Sequence, residues 1–284
     1  MHIITCLGGG LGNQLFQYAA GRSLAARTGA RLMIDGSRIR APGGYRYVLG
    51  NFAIDAELIF GREYGAAADS IRREAEDRLE FPIFREHSFN YDPRFETLLP
   101  PKILIGFWQS EKYFQAVAGT IRSEFQLTSE AGGENARWLG EVKRVAAVCV
   151  HVRRCDYVTT ASAKTHGPCS MSYYSSAMEH IRRMVRQPRF FVFSDDLDWV
   201  RENFVAPDTV VVDANGPEAA DQELRLMSTC RHHIIANSSL SWWAAWLGEH
   251  ESQIVIAPEP WFITGRPTPD LLPDRWLSLP RADR

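Results

Sequence analysis

Four segments of the chain set chemically capable residues at the ends of apolar runs. In the first, Val148-Cys149-Val150 leads into His151-Val152-Arg153-Arg154-Cys155-Asp156-Tyr157. Adjacent arginines leaving a buried strand are costly unless they meet anions, because an unpaired buried charge carries a large desolvation penalty. A planar guanidinium fork matches a pair of phosphate oxygens. Neighbouring side chains on a strand diverge, so one arginine can grip a diphosphate while the other pairs internally with Asp156. Two arginines in salt bridges or on a solvated face are the alternative that these residues leave open.

The second segment is the glycine loop Gly8-Gly9-Gly10-Leu11-Gly12, followed by Asn13-Gln14. Backbone N–H groups at a helix start suit phosphate, and both amides could bind a ligand. A dinucleotide G-x-G-x-x-G fails, since its third glycine falls on Asn13 or Leu15, although Asp35 stands where such a fold places its ribose-binding acid. No Lys-Ser or Lys-Thr follows to complete a P-loop. A tight turn between strand and helix is the bland reading. Third comes Phe193-Ser194-Asp195-Asp196-Leu197-Asp198. Acids at a strand end recognise ribose or base, and Asp196-Leu197-Asp198 spells the D-x-D by which many sugar-nucleotide transferases hold Mn²⁺ or Mg²⁺. Asp198 as a helix-start acid favoured by the macrodipole is the competing reading. Fourth is Ala236-Asn237-Ser238-Ser239-Leu240-Ser241-Trp242-Trp243, where hydroxyls and free N–H groups at a helix start offer a second anion site or an ordinary N-cap. Trp242 and Trp246 lie four apart, on one helical face, and belong to the core.

Other chemistries lack their residues. The eight histidines form no His-x3-His or His-Glu-x-x-His spacing, and no G-x-S-x-G elbow marks a serine hydrolase. The five cysteines are scattered without a C-x-x-C pair, and Cys6, Cys149 and Cys230 sit in apolar runs as small buried hydrophobes.

The elements that must carry these segments alternate. Ile3–Leu7 is a strand, Asn13–Thr28 a helix stopped by Gly29, and Ala30–Asp35 a second strand, which together predict a βαβ unit on a parallel sheet. Residues 36–100 predict irregular excursions and short helices. A strand at Ile103–Trp108 leads to a helix near Glu111–Phe125, and Thr128–Asn135 is the composition's best hinge. Beyond it, strands end at His151, at Ser194, at Asp213 and at Ala236, separated by helices over Ser172–Arg186, Asp221–Cys230 and Ser241–Leu247. The expected fold is α/β, with two Rossmann-like domains, 1–130 and 131–284, facing a central cleft. At 284 residues the chain suits two domains. A net charge of −2 removes the footprint of a nucleic-acid partner. Neither a signal peptide nor an apolar run of membrane-spanning length is present, so a cytoplasmic protein is expected.

Taken in order, Gly9-Gly10-Leu11-Gly12-Asn13-Gln14-Leu15-Phe16-Gln17-Tyr18-Ala19, Gly106-Phe107-Trp108-Gln109-Ser110-Glu111-Lys112-Tyr113-Phe114, His151-Val152-Arg153-Arg154 through Tyr157, Phe193-Ser194-Asp195-Asp196 and Asn237-Ser238-Ser239-Leu240-Ser241-Trp242-Trp243 resemble bacterial α-1,2-fucosyltransferases of glycosyltransferase family 11. The likeness runs from about residue 3 to 262. It implies a GT-B-like pair of domains, with the acceptor side and glycine loop in the first and GDP-β-L-fucose in the second. Transfer to the 2-hydroxyl of a terminal β-galactose would proceed with inversion, without metal or other cofactor. By the same resemblance Arg153 and Arg154 stabilise the departing diphosphate, and His151 lies near the nucleotide. Gly10, Gly12, Asn13 and Gln14 lie near the donor phosphates, Asp195 or Asp196 holds guanine or ribose, and Ser238 and Ser239 meet further phosphate oxygens. Trp108 and Gln109 would touch the acceptor or the sugar. Asp156 is the first choice for the base that inversion requires, although an acid pairing with arginine is a poor one. The acceptor implied is a galactose-terminated glycan of O-antigen or capsule type, with peripheral contact at the inner membrane compatible with it. Cys155 stands where the family usually has glycine, which would cost about 1 kcal/mol if φ were positive. Leu240 for the common Phe is a mild swap. A metal-dependent transferase using the D-x-D and a non-catalytic nucleotide-binding Rossmann module are the competing readings.

Overall fold

The computed structural model describes residues 1–39, 45–77 and 82–282. The chain divides into two compact units, 1–128 with 269–273 and 129–268 with 274–284.

In the first unit β1 (His2–Cys6) is buried along all but its first residue, because Ile3-Ile4-Thr5-Cys6 is flanked by strands on both edges. Helix α1 (Leu11–Thr28) follows and ends where Gly29 turns left-handed at φ 67°, its N–H bonding to Ala25 O. The neighbouring Ala30 N–H reaches the same carbonyl at 3.1 Å, so the glycine closes the helix and aims the chain into β2 (Arg31–Asp35). Then come β3 (Glu57–Ile59), α2 (Gly61–Asp77), β4 (Ile83–Arg85), β5 (Lys102–Ile105) and α3 (Ala118–Glu124). The five strands are parallel, in the order β3-β2-β1-β5-β4. The chain's direction across the sheet reverses between β1 and β5. That topology puts the loops after β1 and β5 side by side at the carboxyl edge, where open α/β sheets bind ligands.

The second unit comprises α4 (Gly133–Lys143), β6 (Ala146–Val152), α5 (Cys155–Thr159), α6 (Met171–Met184), β7 (Pro188–Ser194), α7 (Leu197–Asn203), β8 (Thr209–Val211), α8 (Ala220–Thr229), β9 (His232–Ile234), α9 (Ser239–Leu247), β10 (Val255–Glu259) and β11 (Leu277–Pro280). Its parallel sheet runs β11-β10-β9-β6-β7-β8. This is the Rossmann order, with the reversal between β6 and β9. Val148, Val150, Phe190, Val192, Ile234 and Ile256 from four strands pack against Tyr173, Tyr174, Ala177 and Ile181 of α6. On the other side, Trp242 and Trp246 are buried and stacked at 6.3 Å and 13°.

The structure corrects the reading of 36–100. Outside 40–44 and 78–81, which are not described, that stretch contains two strands and the 17-residue α2. Strands of three residues are too short to show alternation. The α2 face that meets the sheet is built of small and mixed residues, Tyr64, Ala67, Ala68 and Ile71. The helix expected over 111–125 is instead two short 3₁₀ turns followed by α3, and β10 and β11 extend the second sheet beyond the strands anticipated. No helix among the described residues is long and apolar enough to cross a membrane.

At the carboxyl edge of the second sheet, Asn237 is 1% exposed, and its Nδ2 donates to His166 O (3.0 Å), Gly167 O (3.2 Å) and Trp261 O (3.1 Å). Arg281, also buried, fills its guanidinium with carbonyls of Gly167, Pro168, Pro260 and Trp261. Buried carbonyls that lose their donor cost about 1–3 kcal/mol each. Asn237→Ala is therefore expected to lower unfolding free energy by at least about 2 kcal/mol in urea titration, with a sharper loss than Asn237→Asp shows at low pH.

Candidate functional site

The loop after β1 is held by neutral amides. Gly9 adopts φ +82°, and a Cβ there would lie 2.3 Å from Asn13 Nδ2, so glycine is required. Gly10 precedes α1 in extended conformation (φ −71°, ψ 178°) and supplies no side-chain cap, while Gly12 is buried in the first turn. Gln14 is wholly buried: its Nε2 donates to Gly9 O (3.1 Å) and Arg46 O (2.7 Å), and its Oε1 accepts Val48 N (3.2 Å). The structure thus gives Gln14 the task of tying residues 46–48 to the glycine loop. Asn13 Oδ1 accepts Gln109 Nε2 at 2.7 Å, which brings together two residues singled out from separate motifs. Asp35 turns its carboxylate to Ser37 N at 2.9 Å.

Two further residues, not singled out, join the loops. Gln17 Oε1 accepts Gly8 N at 2.9 Å, and its Nε2 donates to Gly106 O at 3.0 Å. One turn beyond Asn13 on α1, it presents the same face, and that spacing was its signal. Glu86 receives Phe107 N (2.7 Å) and Trp108 N (3.0 Å) and had no sequence signal, being 21 positions away. Trp108 is not placed to touch a sugar. Its ring is 0% exposed, among Phe84, Phe95 and Tyr113, and its backbone takes φ 59°, a left-handed strain of about 1 kcal/mol. The indole is core, and the Glu86 carboxylate holds the strained turn.

The loop after β6 is held by charge. Register pairs Val152 with Ser194, so Arg153-Arg154 and Asp195-Asp196 leave neighbouring strands together. Asp195 accepts Arg154 N at 2.8 Å with one oxygen and Cys155 N at 3.2 Å with the other, which also lies 3.3 Å from Arg153 Nε. Arg153 Nε donates to Asp156 at 2.8 Å. Arg154 Nε meets Asp196 Oδ2 at 3.1 Å, and its guanidinium lies 4.0 Å over the Trp199 ring. Asp196 also caps α7 by accepting Trp199 N at 3.2 Å. The carboxylates expected to face guanine or ribose therefore hold the arginines. Asp198 is 97% exposed at its side chain, 3.7 Å from Arg201. Among the described residues no group of three or more His, Cys, Asp or Glu has metal-holding geometry. Cys155 begins α5 and is absent from the positive-φ residues, so its side chain brings no backbone strain; its Sγ lies 3.0 Å from Asp195 O.

His151, at the end of β6, is buried, with Nδ1 unpartnered, and burial with Arg153's charge brings its pKa down to about 3. A neutral imidazole results. The β9 edge adjoins it: Ser238 caps α9 without a side-chain cap bond, Ser239 opens the helix, and Ser241 Oγ reaches Ala236 O (3.2 Å) and Ser238 O (3.1 Å). Tyr157 OH donates to Asn237 O at 3.0 Å, tying the arginine loop to the serine loop. Within this unit the structure therefore gathers His151, Arg153, Arg154, Asp156, Asp195 and Asp196 at one end of the sheet, with Ser238 and Ser239 on the adjoining strand's edge.

Comparison with known proteins gives the family and the fold. Residues 97–265 match the sequence family described as Glycosyl transferase family 11. An Escherichia coli alpha-1,2-colitosyltransferase is 32% identical over 292 residues, covering 98% of each chain. Galactoside alpha-(1,2)-fucosyltransferase 1 of Ateles belzebuth is 30% identical, over 84% of this chain and 63% of its own. The structure of Arabidopsis thaliana FUT1, solved in complex with GDP, aligns over 92% of this chain and 71% of that one with TM-score 0.51 at 13% identity, which shows a shared GT-B fold.

Two expectations follow from the charged loop. Asp195→Ala removes the acceptor of two backbone amides, so hydrogen exchange at Arg154 and Cys155 should accelerate at least about tenfold while β6 amides stay protected. Glu223, on α8, is pushed up to about 8 by burial, with Asp195's negative charge adding and an Asn215 hydrogen bond opposing. Its folded value lies above the ordinary 4.5, so the native state keeps a proton that the unfolded chain releases, and stability declines as pH rises through that window. Thermal unfolding from about pH 5 to 8 should show this decline in the parent protein and a shallower one in Glu223→Gln.

Proposed function

The chain belongs to glycosyltransferase family 11, and from that premise we propose that it is an inverting galactoside α-1,2-fucosyltransferase. The donor is GDP-β-L-fucose, and the acceptor is the 2-hydroxyl of a terminal β-galactose on a surface glycan of O-antigen or capsule type. One observation carries the proposal: two adjacent guanidiniums fixed by Asp195 and Asp196 at the carboxyl end of β6, beside the sheet's point of reversal. Glycosyl transfer from a nucleoside diphosphate sugar breaks the bond between C1 and the β-phosphate oxygen. Its electron pair leaves with that oxygen while the sugar gains oxocarbenium character. Fixed cationic donors aimed at the developing charge are commonly the largest catalytic contribution.

Arg153 and Arg154 supply those donors, with no water reorganisation needed at the moment of cleavage. Asp195 and Asp196 act through them as positioning residues. His151, neutral and carrying a free ring nitrogen, offers a hydrogen bond to the nucleotide. Ser238 and Ser239, at the start of α9, offer hydroxyls and N–H groups to phosphate oxygens. In the first unit Gly10, Gly12 and Asn13, with Gln109 bonded to Asn13, form a polar edge on that unit's own sheet. Asp156 takes the acceptor's proton in this reading, and no metal or cofactor is required because the arginines carry the compensating charge.

The similarity to a protein named alpha-1,2-colitosyltransferase favours a second donor. Colitose is L-fucose with hydrogen in place of the 3-hydroxyl. A pocket that hydrogen-bonds the 3-hydroxyl rejects the deoxy sugar by about 10⁴-fold or more, whereas an apolar pocket discriminates only modestly.

GDP release, measured with GDP-fucose and with GDP-colitose in EDTA, is expected to depend on a β-galactoside acceptor. It should fall about 10²- to 10³-fold in Arg154→Ala. Release from GDP-colitose alone reassigns the donor. Silence with both donors across β-galactosides refutes the proposal.

A further inference from the structure

Among the described residues the exposed aromatic side chains are Tyr45, at 59%, and Phe107, at 39%, and they are not scattered. Both belong to the carboxyl edge of the first sheet. Tyr45 stands beside the glycine loop, its Cδ1 3.8 Å from where a Cβ on Gly10 would lie. Phe107 follows β5, two residues before the Gln109 that bonds to Asn13. Single exposed apolar side chains need no explanation, but aromatics gathered at a polar edge do.

The chain commits several features to the exposure of Phe107. Gly106 lets the loops after β4 and β5 approach, since a Cβ there would lie 2.4 Å from Glu86 Cβ. The Glu86 carboxylate takes the N–H groups of Phe107 and Trp108, and Gln17 Nε2 donates to Gly106 O. The left-handed turn at Trp108 puts that indole in the core while the preceding ring stays outside. Phe89, from the loop after β4, lies parallel to Phe107 within 3°, their centroids 6.3 Å apart. Backbone strain that its surroundings hold in place is characteristic of ligand-binding positions.

Polar groups surround this surface. Glu86, Ser88, Asn90, Asp92 and Arg94 line a hollow of about 250 Å³ in the loop that carries Phe89. Arg94 Nε donates to Asp92 Oδ1 at 2.9 Å there, so both charges are held in fixed directions. An aromatic face beside amides, hydroxyls and carboxylates suits a pyranose, whose C–H bonds pack on the ring while its hydroxyls bond to the rim. In β-galactose the axial 4-hydroxyl occupies one face, and the hydrogens of C3, C4 and C5 gather on the other. The 2-hydroxyl is equatorial, so a ring stacked beneath that C–H face leaves it uncovered.

We infer that Phe107, backed by Phe89, is the platform on which the acceptor's terminal galactose stacks, the part that the family resemblance suggested for Trp108. The inference rests on the β-galactoside acceptor proposed above. Stacking away from the reacting hydroxyl is equally strong before and during transfer, so it acts on the acceptor's KM rather than on kcat.

Steady-state transfer kinetics with a β-galactoside test it. Phe107→Ala should raise the acceptor's KM at least about tenfold while kcat stays within about threefold and the donor's KM is unchanged. Phe107→Leu, apolar but without a ring face, should lose as much. Phe107→Tyr restores the ring and should return KM to within about threefold of the parent. Saturation-transfer NMR of the acceptor, which needs no donor, should put the strongest signals on the protons of C3, C4 and C5 and lose them in Phe107→Ala. An acceptor KM that is unchanged in Phe107→Ala, or raised as far in Phe107→Tyr as in Phe107→Ala, overturns the platform while the parent's transfer upholds the function. Parent-like kinetics in Phe107→Leu reduce the residue to an ordinary apolar contact and overturn it as well. A parent chain that transfers to no β-galactoside overturns both readings.

Discussion

Two like charges adjacent in sequence and leaving a buried strand are the constraint around which the second unit is arranged. Arg153 and Arg154 repel one another and cannot surrender their protons, so the chain must supply anions at fixed places. Parallel pairing of β6 with β7 does this, because the register that aligns Val152 with Ser194 brings Asp195 and Asp196 out beside the arginines. Asp195 then spends its oxygens on the backbone of Arg154 and Cys155 as well as on Arg153. Its carboxylate thus fixes where the arginine side chains begin. The sheet register and the geometry of the arginine loop are a single fact.

Further support comes through neutral groups. Tyr157, one turn into α5, hands the loop's position to Asn237. Asn237 in turn fastens 166–167 and 261 to the start of the serine loop. Trp199 stacks under Arg154 while its own N–H is capped by Asp196, so one ring holds a face of that guanidinium and one carboxylate holds an edge. A cation held on several sides loses little entropy on meeting a ligand. This is the physical benefit of committing so many polar groups to two side chains.

How much of this the sequence discloses depends on the range of the interaction. Strand–loop–helix units with glycine stops and apolar runs are local, and β1, α1, β2, β6, β7, β9 and α9 lie near where the pattern places them. The elements in 36–100 escape because β3 and β4 are three residues long and the buried face of α2 is mostly alanine and mixed residues. Among site residues, the arginine pair draws notice by its cost of burial, which leaves open the internal ion pairs that the structure shows. The duty of Asp195 and Asp196 is not, since a carboxylate at a strand end looks alike whether it faces a ribose or a neighbouring strand's backbone. Trp108 misleads for a related reason: a motif shared with a family does not show which way its ring turns, and Phe84, Phe95 and Tyr113 enclose it. Glu86 is invisible because its partners lie across β4 and β5.

The two sheet edges solve the same topological problem with opposite chemistry. In the first unit Gln14, Gln17 and the Asn13–Gln109 pair join the loops after β1 and β5 by amides, and Glu86 spends its charge on backbone N–H groups. In the second, ion pairs carry the loop after β6. Amide networks are satisfied internally and change little with ionic conditions, which suits a scaffold. Ion pairs are exchangeable: a guanidinium can pass from a carboxylate to a phosphate without losing its hydrogen bonds, whereas an amide wedged between carbonyls cannot. A bond between sugar and diphosphate breaks with charge building on one side, and cations already positioned by anions are suited to meet that charge. Ion pairs at the second unit's edge therefore suit a transferase of this kind, since only one of its ligands becomes more negative as the reaction proceeds.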